Sequence, residues 1–172
     1  MADDPAFSIL FVDDEPDVIN ALKRLFFMEN FIILTARGGL QALDILKTTD
    51  TAVRLIISDQ RMPEMTGAEF LEQSREFFPY ALRFLLTAHS DAETLISAVN
   101  KGRIHGYVSK PWDDVDLRRL IRGALREQDL FLKNATLHNL TRKESRDYLQ
   151  FNRQLEKTFC VMDDSLVLNL DD

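Results

Sequence analysis

Short apolar runs alternate with longer amphipathic stretches from the first ten residues of the chain to about residue 125. The runs are unbroken by polar residues, which is typical of strands buried on both faces of a sheet. In the stretches between them, apolar residues recur three or four positions apart, which predicts helices with one buried face. Such an alternation builds a parallel sheet with right-handed crossovers, so the sequence predicts an α/β fold of five βα units. The predicted strands are residues 9–12, 31–34, 55–57, 84–86 and 107–108, and the predicted helices cover residues 18–26, 40–46, 67–74, 92–99 and 117–125.

Polar residues suited to chemistry stand directly after four of the predicted strands. Asp13 and Asp14 follow the first strand, Asp59 the third, Thr87 the fourth and Lys110 the fifth. In parallel sheets of this kind, ligands bind beyond the carboxyl ends of the strands. The sequence therefore predicts one polar cluster at that edge of the sheet.

The composition of this cluster points to a metal ion and a phosphoryl group. Three carboxylates that converge repel one another, and a cation is needed to keep them ionised together. Mg²⁺ is the expected cation, with Mn²⁺ as a possible substitute, because it binds a few carboxylate oxygens and shares phosphate oxygens. Asp59 is then a candidate nucleophile that forms an acyl phosphate. Lys110 and Thr87 offer a positive charge and a hydroxyl to the phosphoryl oxygens.

The same residues stand in motifs that resemble the receiver domain of response regulators, the phosphorylated modules of two-component signalling. The motifs are FVDDE at residues 11–15, ISDQRMP at 57–63 with Gly67 eight residues after Asp59, LTA at 86–88 and YVSKP at 107–111. One such motif alone is weak evidence, but all of them in order at predicted strand ends make a specific match. The resemblance covers about residues 7–128. It implies a flavodoxin-like, doubly wound (βα)5 fold with a five-stranded parallel sheet in the order 2-1-3-4-5.

The resemblance also implies which residues hold the metal ion and the phosphoryl group. Asp59 is expected to be the phosphoacceptor. Asp14, Asp59 and the backbone carbonyl of Arg61 are expected to hold Mg²⁺, and Asp13 to assist through a water molecule. Lys110 is expected to contact the phosphoryl group.

Further residues are implied to carry the switch. Thr87 and Ala88 are expected at the phosphoryl group, with Thr87 moving toward it while Tyr107 turns inward, which reshapes the face made by the fourth crossover helix, the fifth strand and the last helix. The Lys110–Pro111 peptide bond is expected to be cis. Arg61 and His89, two residues after Asp59 and Thr87, flank the site at positions expected to tune the lifetime of the phosphoryl group. The three histidines of the chain are expected at the surface.

The chain beyond the receiver region is interpreted as a helical extension or linker at residues 129–160. Thr141 and Glu144 form a capping-box pattern that predicts a new helix after a break among residues 134–139. Leu137, Tyr148 and Phe159 recur every 11 residues, a spacing known from coiled coils. Both a homodimer through residues 113–160 and packing of the extension on its own domain stay open. Residues 161–172 are interpreted as an acidic tail or as the start of a truncated output domain.

Composition restricts the partners. The net charge of −7 argues against direct binding of nucleic acid or of an anionic membrane. The single cysteine, Cys160, cannot form an internal disulfide, and no signal peptide or membrane span is evident, so a cytoplasmic location is expected. The expected partners are a sensor histidine kinase or phosphotransfer protein and an unknown output domain or target.

Two other functions compete with a phosphorylated switch. A hydrolase of the haloacid-dehalogenase type also uses an aspartate nucleophile and Mg²⁺, but it needs a second aspartate two residues on, where this chain has Arg61. A receiver-like module that binds or dimerises without phosphorylation would lack some site residues, and this chain keeps them all. No turnover of a separate substrate is expected.

Overall fold

Five strands form a single parallel sheet in the computed structural model, which describes residues 7–88 and 104–137, with side chains of the last helix described to residue 133. The sheet order is β2-β1-β3-β4-β5, so the predicted fold is confirmed. The predicted helix at residues 92–99 lies outside the described residues. The elements are β1 (Ser8–Val12), α1 (Pro16–Leu25), β2 (Ile32–Ala36), α2 (Gly39–Thr48), β3 (Val53–Asp59), α3 (Gly67–Ser74), β4 (Leu82–Thr87), β5 (Gly106–Ser109) and α4 (Asp114–Leu137).

The core lies on both faces of the sheet, because successive strand residues point to opposite sides. On one face, Ile9 and Phe11 of β1 pack with residues of α1 and α4. On the other, Leu10 and Val12 pack with residues of α2 and α3. Each fully buried side chain of this size stabilises the fold by about 1.5–3 kcal/mol. Burial on both faces explains why the strands are continuously apolar in the sequence.

Local signals fix where the helices begin. Pro16 starts α1, where its missing N–H costs no helical hydrogen bond. A capping box begins α3: the Thr66 side chain accepts from the backbone N–H of Glu69, and the Glu69 carboxylate accepts from the backbone N–H of Thr66. The hydrogen bond that the Glu69 carboxylate accepts from the Thr66 N–H, together with one from the Thr66 hydroxyl, lowers the pKa of Glu69. The Asp113 carboxylate accepts from the backbone N–H groups of Val115 and Asp116 at the start of α4.

Helix α4 is longer than the sheet requires. It runs through residue 128, where the sequence placed the end of the receiver region, to Leu137. Neither α4 nor any other helix in the described ranges is long and apolar enough to cross a membrane. The predicted elements beyond residue 137, including the capping box at Thr141, lie outside the described residues.

Two expectations about single positions are wrong. The spacing of Leu40, Leu43 and Leu46 that predicted the helix at residues 40–46 placed Leu40 on its buried face, but Leu40 is 48% exposed, and Gly39, Ala42, Leu43 and Leu46 form that face instead. His105 was expected at the surface but is buried, since its Nδ1 atom accepts a hydrogen bond from the backbone N–H of Arg83 at 2.9 Å. The other two histidines, His89 and His138, lie outside the described residues.

Candidate functional site

The ammonium group of Lys110 joins the ends of three strands. Its Nζ atom lies 2.8 Å from Oδ2 of Asp13 and 2.6 Å from Oδ1 of Asp59. A third carboxylate, that of Glu15, is 3.7 Å away. Asp13 follows β1, Asp59 ends β3 and Lys110 follows β5, so the parallel sheet brings together residues that are far apart in the sequence. The polar cluster expected at this edge of the sheet therefore has a cation at its centre.

Burial makes the charges of this cluster interdependent. Burial is the main cause that raises the pKa of Asp13, and hydrogen bonds from Lys110 and from the backbone N–H of Glu15 oppose it in part. Burial also acts most strongly on Lys110 and lowers its pKa, but the hydrogen bonds and charges of Asp13 and Asp59 together outweigh it, so the pKa of Lys110 is raised. Lys110 is thus a firmly held cation, while the ionised form of Asp13 is only partly compensated.

Both carboxylate oxygens of Asp59 have partners. Oδ1 faces Lys110, and Oδ2 accepts a hydrogen bond from the backbone N–H of Arg61 at 2.6 Å. The backbone of Asp59 is enclosed as well, because a Cβ atom added to Gly67 at the start of α3 would lie 2.1 Å from the Asp59 carbonyl oxygen. Asp59 is consequently nearly buried and fixed from several sides.

The predicted switch residues lie beside this cluster. Thr87 is buried at the end of β4, and its hydroxyl donates to the carbonyl of Ala88 at 3.0 Å. The backbone N–H of Lys110 donates to the Thr87 carbonyl at 2.8 Å, which connects the ends of β4 and β5. Tyr107 is half-buried against the core on the α2 and α3 side, and the Lys110–Pro111 peptide bond is cis. His89 lies outside the described residues.

The carboxylates fit a hard cation by their chemistry. Asp13 and Asp59 already converge on one positive group, and Mg²⁺ in proteins is commonly held by one or two carboxylates with water and phosphate oxygens completing its shell. Asp14 is half-buried at the same edge and has no hydrogen-bonding partner among the described residues. In residues 7–88 and 104–133, no three His, Cys, Asp or Glu side chains lie close enough together to hold a metal ion between them. The structure thus joins Asp13 with Asp59, whereas Asp14 makes none of these contacts.

Two residues of the site were given no role by the sequence reasoning. Glu15 directly follows the acidic pair and approaches Lys110, and its position in the first motif was the available signal. Gln60 directly follows Asp59 and is buried, and its Oε1 atom accepts from the backbone N–H of Ala68 at 3.1 Å. Nothing in the sequence distinguishes this buried amide from an exposed one, because its partner is in the next helix.

Comparison with known proteins agrees with the resemblance to receiver domains that the motifs indicated. A model of the response regulator receiver domain family matches residues 9–122. The hydrogenase transcriptional regulatory protein HoxA of Cupriavidus necator is 37% identical over 127 residues, which are 74% of this chain and 26% of that protein. The regulatory protein AtoC of Escherichia coli is 32% identical over 130 residues, 76% of this chain and 28% of AtoC. The chain therefore spans about a quarter of the length of these curated relatives.

Among solved structures, the signal receiver domain of an HD domain-containing protein from Pseudomonas fluorescens Pf-5 is similar over 72% of this chain and 98% of its own length. The TM-score is 0.66 and the sequence identity 34%.

Proposed function

The chain belongs to the response regulator receiver domain family, and from this premise we propose that Asp59 accepts a phosphoryl group from a partner kinase with Mg²⁺ bound beside it. The observation that carries the proposal is the position of the Lys110 ammonium group, 2.8 Å from Asp13 and 2.6 Å from Asp59 at the carboxyl end of the sheet. This position supplies a nucleophile and a positive charge for the phosphoryl oxygens in one place.

In the proposed reaction, a carboxylate oxygen of Asp59 attacks the phosphorus of a phosphohistidine on the donor protein. An O–P bond forms while the N–P bond breaks, and the electron pair of the N–P bond stays on the imidazole nitrogen of the donor. Lys110 gives up its contact with the Asp59 carboxylate and stabilises the negative charge on the oxygens of the transferred phosphoryl group. Asp14, Asp59 and the Arg61 carbonyl would hold Mg²⁺, with Asp13 acting through water. The ion, when bound, neutralises charge on the phosphoryl oxygens.

The proposed switch follows from the new charge at Asp59. The Thr87 hydroxyl exchanges its bond to the Ala88 carbonyl for one to a phosphoryl oxygen, and Tyr107 turns inward behind it. Phosphorylation then favours one of two arrangements of the face around β5. Arg61 and His89 border the route of the hydrolytic water, and we infer that they set the lifetime of the phosphoryl group.

The output is proposed to lie outside the receiver region. The donor would be a sensor histidine kinase or a phosphotransfer protein in the cytoplasm. Relatives named as transcriptional regulators and a neighbour named as an HD domain-containing protein carry receivers on different proteins, so the family does not choose the output. Residues 113–160 are proposed to form a homodimer, which is supported by the exposure of Leu130 on α4. Residues 129–160 would then be the linker to an output beginning in or after residues 161–172.

The test uses intact-mass measurement after incubation with acetyl phosphate, with and without Mg²⁺. Wild type and Asp44→Asn, an exposed aspartate of α2, are expected to gain one phosphoryl group when Mg²⁺ is present. Asp59→Asn is expected to gain none. Folded wild-type protein that takes up no phosphoryl group would overturn the proposal and favour a module that binds without phosphorylation. An adduct that persists in Asp59→Asn would place the acceptor elsewhere.

A further inference from the structure

Gln60 links the proposed phosphoacceptor to the start of the following helix. We propose that Gln60 is a positioning residue, whose side-chain amide holds Asp59 and the loop after it in the geometry that phosphoryl transfer needs. The inference rests on the proposed function of Asp59. It is motivated by a buried polar group that stands in one of the motifs but has no role in the proposed chemistry, since Gln60 is only 6% exposed. A buried amide of this kind is costly unless it is hydrogen-bonded.

The hydrogen bonds of Gln60 complete the N-terminus of α3. A helix begins with N–H groups that have no partner within the helix. Gln60 accepts from two of them: its carbonyl oxygen from Gly67 at 3.0 Å and its Oε1 atom from Ala68 at 3.1 Å. The capping box serves the next N–H, that of Glu69. Gln60 thus acts as a second cap, placed at the end of the preceding strand.

The same residue is also attached to β4. Its backbone N–H donates to the carbonyl of Leu86 at 2.9 Å, directly before the proposed switch residue Thr87. Gln60 therefore joins three elements within one residue of Asp59: β3 by the chain, β4 by its N–H, and α3 by its carbonyl and side chain.

Close packing makes this junction sensitive to small changes. The first residue of α3, Gly67, lies so near the Asp59 carbonyl that it leaves no space for a Cβ atom. Arg61, whose carbonyl is the proposed metal ligand, is bound through its N–H to the Asp59 carboxylate at 2.6 Å. If the Gln60 amide is lost, the Ala68 N–H loses its partner and the start of α3 can shift. Such a shift would reach both the nucleophile and the proposed metal ligand.

The chain offers a closely matched control for a test. Gln128 of α4 is also buried. Its Oε1 atom accepts a hydrogen bond from the Arg54 side chain, and its Nε2 atom donates to the carbonyls of Arg54 and Tyr80. It lies near the opposite edge of the sheet, where β3 begins. Gln60→Met and Gln128→Met remove the same chemical group from two buried sites, which are 6% and 3% exposed. Gln60→Asn, whose shorter side chain cannot reach Ala68, serves as a second variant that keeps a polar group.

Three quantities are measured on each variant below its melting temperature: the Mg²⁺ dissociation constant, the phosphorylation rate at saturating acetyl phosphate and Mg²⁺, and the hydrogen-exchange rate of the Ala68 amide. In Gln60→Met and Gln60→Asn, Mg²⁺ affinity and the saturating rate are expected to fall about 10- to 100-fold, as for other residues that orient metal ligands, and the Ala68 amide to exchange faster. In Gln128→Met, the melting temperature falls but all three quantities stay at the wild-type level.

The outcomes separate this inference from the proposed function. Wild type that is phosphorylated on Asp59, together with Gln60 variants whose rate and Mg²⁺ affinity match those of Gln128→Met, would show that Gln60 contributes to stability alone and overturn the inference. Wild type that is not phosphorylated at all would overturn the proposed function, and the inference with it. Loss of rate and Mg²⁺ affinity confined to the Gln60 variants supports it.

Discussion

Asp13 is the residue whose surroundings determine the electrostatics of the site. Its carboxylate is buried, and burial raises its pKa more than the hydrogen bonds to Lys110 and Glu15 lower it. The folded state therefore binds a proton at Asp13 more tightly than the unfolded chain does. A residue of this kind costs stability in its ionised form, and a bound cation would offset part of that cost.

The first prediction concerns Asp13→Asn, which resembles the protonated form of Asp13. Below the ordinary pKa of 3.8, Asp13 is protonated in both states and the variant is expected to match wild type. As the pH rises, the unfolded chain ionises first, so wild type loses stability relative to the variant until the folded-state pKa is passed. Asp13→Asn should thus be the more stable protein at neutral pH without Mg²⁺. Urea unfolding across this pH range measures the difference, and a variant less stable than wild type at pH 7 contradicts the expectation.

The second prediction tests the contact between Gly67 and Asp59. In Gly67→Ala, the new Cβ atom would lie 2.1 Å from the Asp59 carbonyl oxygen and 2.8 Å from a methyl carbon of Leu85. Because the nearer atom belongs to the backbone, α3 or β3 must shift, and the expected loss of stability is about 3 kcal/mol. Gly38→Ala is the control, since no heavy atom lies within 4 Å of its added Cβ. Equal unfolding free energies for the two variants would show that this contact is not restrictive.

At the scale of single residues, the sequence predicted those site residues that can be recognised because they stand directly after a predicted strand. Asp13, Asp59 and Lys110 meet as expected because parallel strands bring their carboxyl ends to one edge. The buried polar residues Gln60 and His105 were not predicted. Each is buried because a distant backbone group satisfies it, and such a pairing leaves no periodic pattern in the sequence.

Among the elements, α4 is attached to the sheet by a group of polar contacts far from the proposed phosphorylation site. The Arg54 side chain donates to Oε1 of Gln128 at 2.9 Å and to the Leu125 carbonyl at 3.1 Å, and forms an ion pair with Asp129 at 2.8 Å. Gln128 in turn donates to the carbonyl of Tyr80 at 2.7 Å, just before β4. These contacts fix the direction in which α4 leaves the sheet.

The third prediction is that Arg54→Met loosens α4. The substitution removes a hydrogen-bond donor to Oε1 of Gln128 and a hydrogen bond to the Leu125 carbonyl at a partly buried site, so the free energy of unfolding should fall by about 1–3 kcal/mol. Amides of residues 125–133 should exchange faster. Arg119→Met is the matched control, because Arg119 forms an exposed ion pair with Asp116 in the same helix, and such pairs contribute about 0.5 kcal/mol or less. Unchanged exchange in α4 would contradict the proposed attachment.

The extent of each element was harder to predict than its existence. The apolar runs located all five strands, but β3 extends from Val53 to Asp59, beyond the predicted residues 55–57. Its ends include Arg54, Ser58 and Asp59, polar residues that the search for apolar runs excluded. In α2, the buried face was assigned wrongly because it includes Gly39, which packs closely against Met65. A glycine has no apolar side chain, so it does not contribute to the spacing of apolar residues from which the face was predicted.

Across the whole molecule, the proposed site and the continuing chain lie toward opposite edges of the sheet. Asp59 is the last residue of β3 and Lys110 directly follows β5, whereas Arg54 and Gln128 meet where β3 begins. Helix α4 then continues to Leu137 with Leu130 58% exposed. If Asp59 is phosphorylated as proposed, the signal has to cross the sheet or pass along α4 to reach the residues that follow. An isolated helix is only marginally stable in water, so the continuing part of α4 is expected to be covered by a partner.

The fourth prediction is that this partner is a second copy of the chain. Sedimentation of wild type over a range of concentrations should show a monomer–dimer equilibrium, and Leu130→Glu should weaken it about tenfold or more, because a charge would enter an apolar contact. Leu40→Glu, which changes another exposed leucine on α2, should leave the equilibrium unchanged. A wild-type monomer at high concentration, both before and after phosphorylation, would exclude the dimer, and α4 would then have to be covered by a domain that follows it or by a different protein.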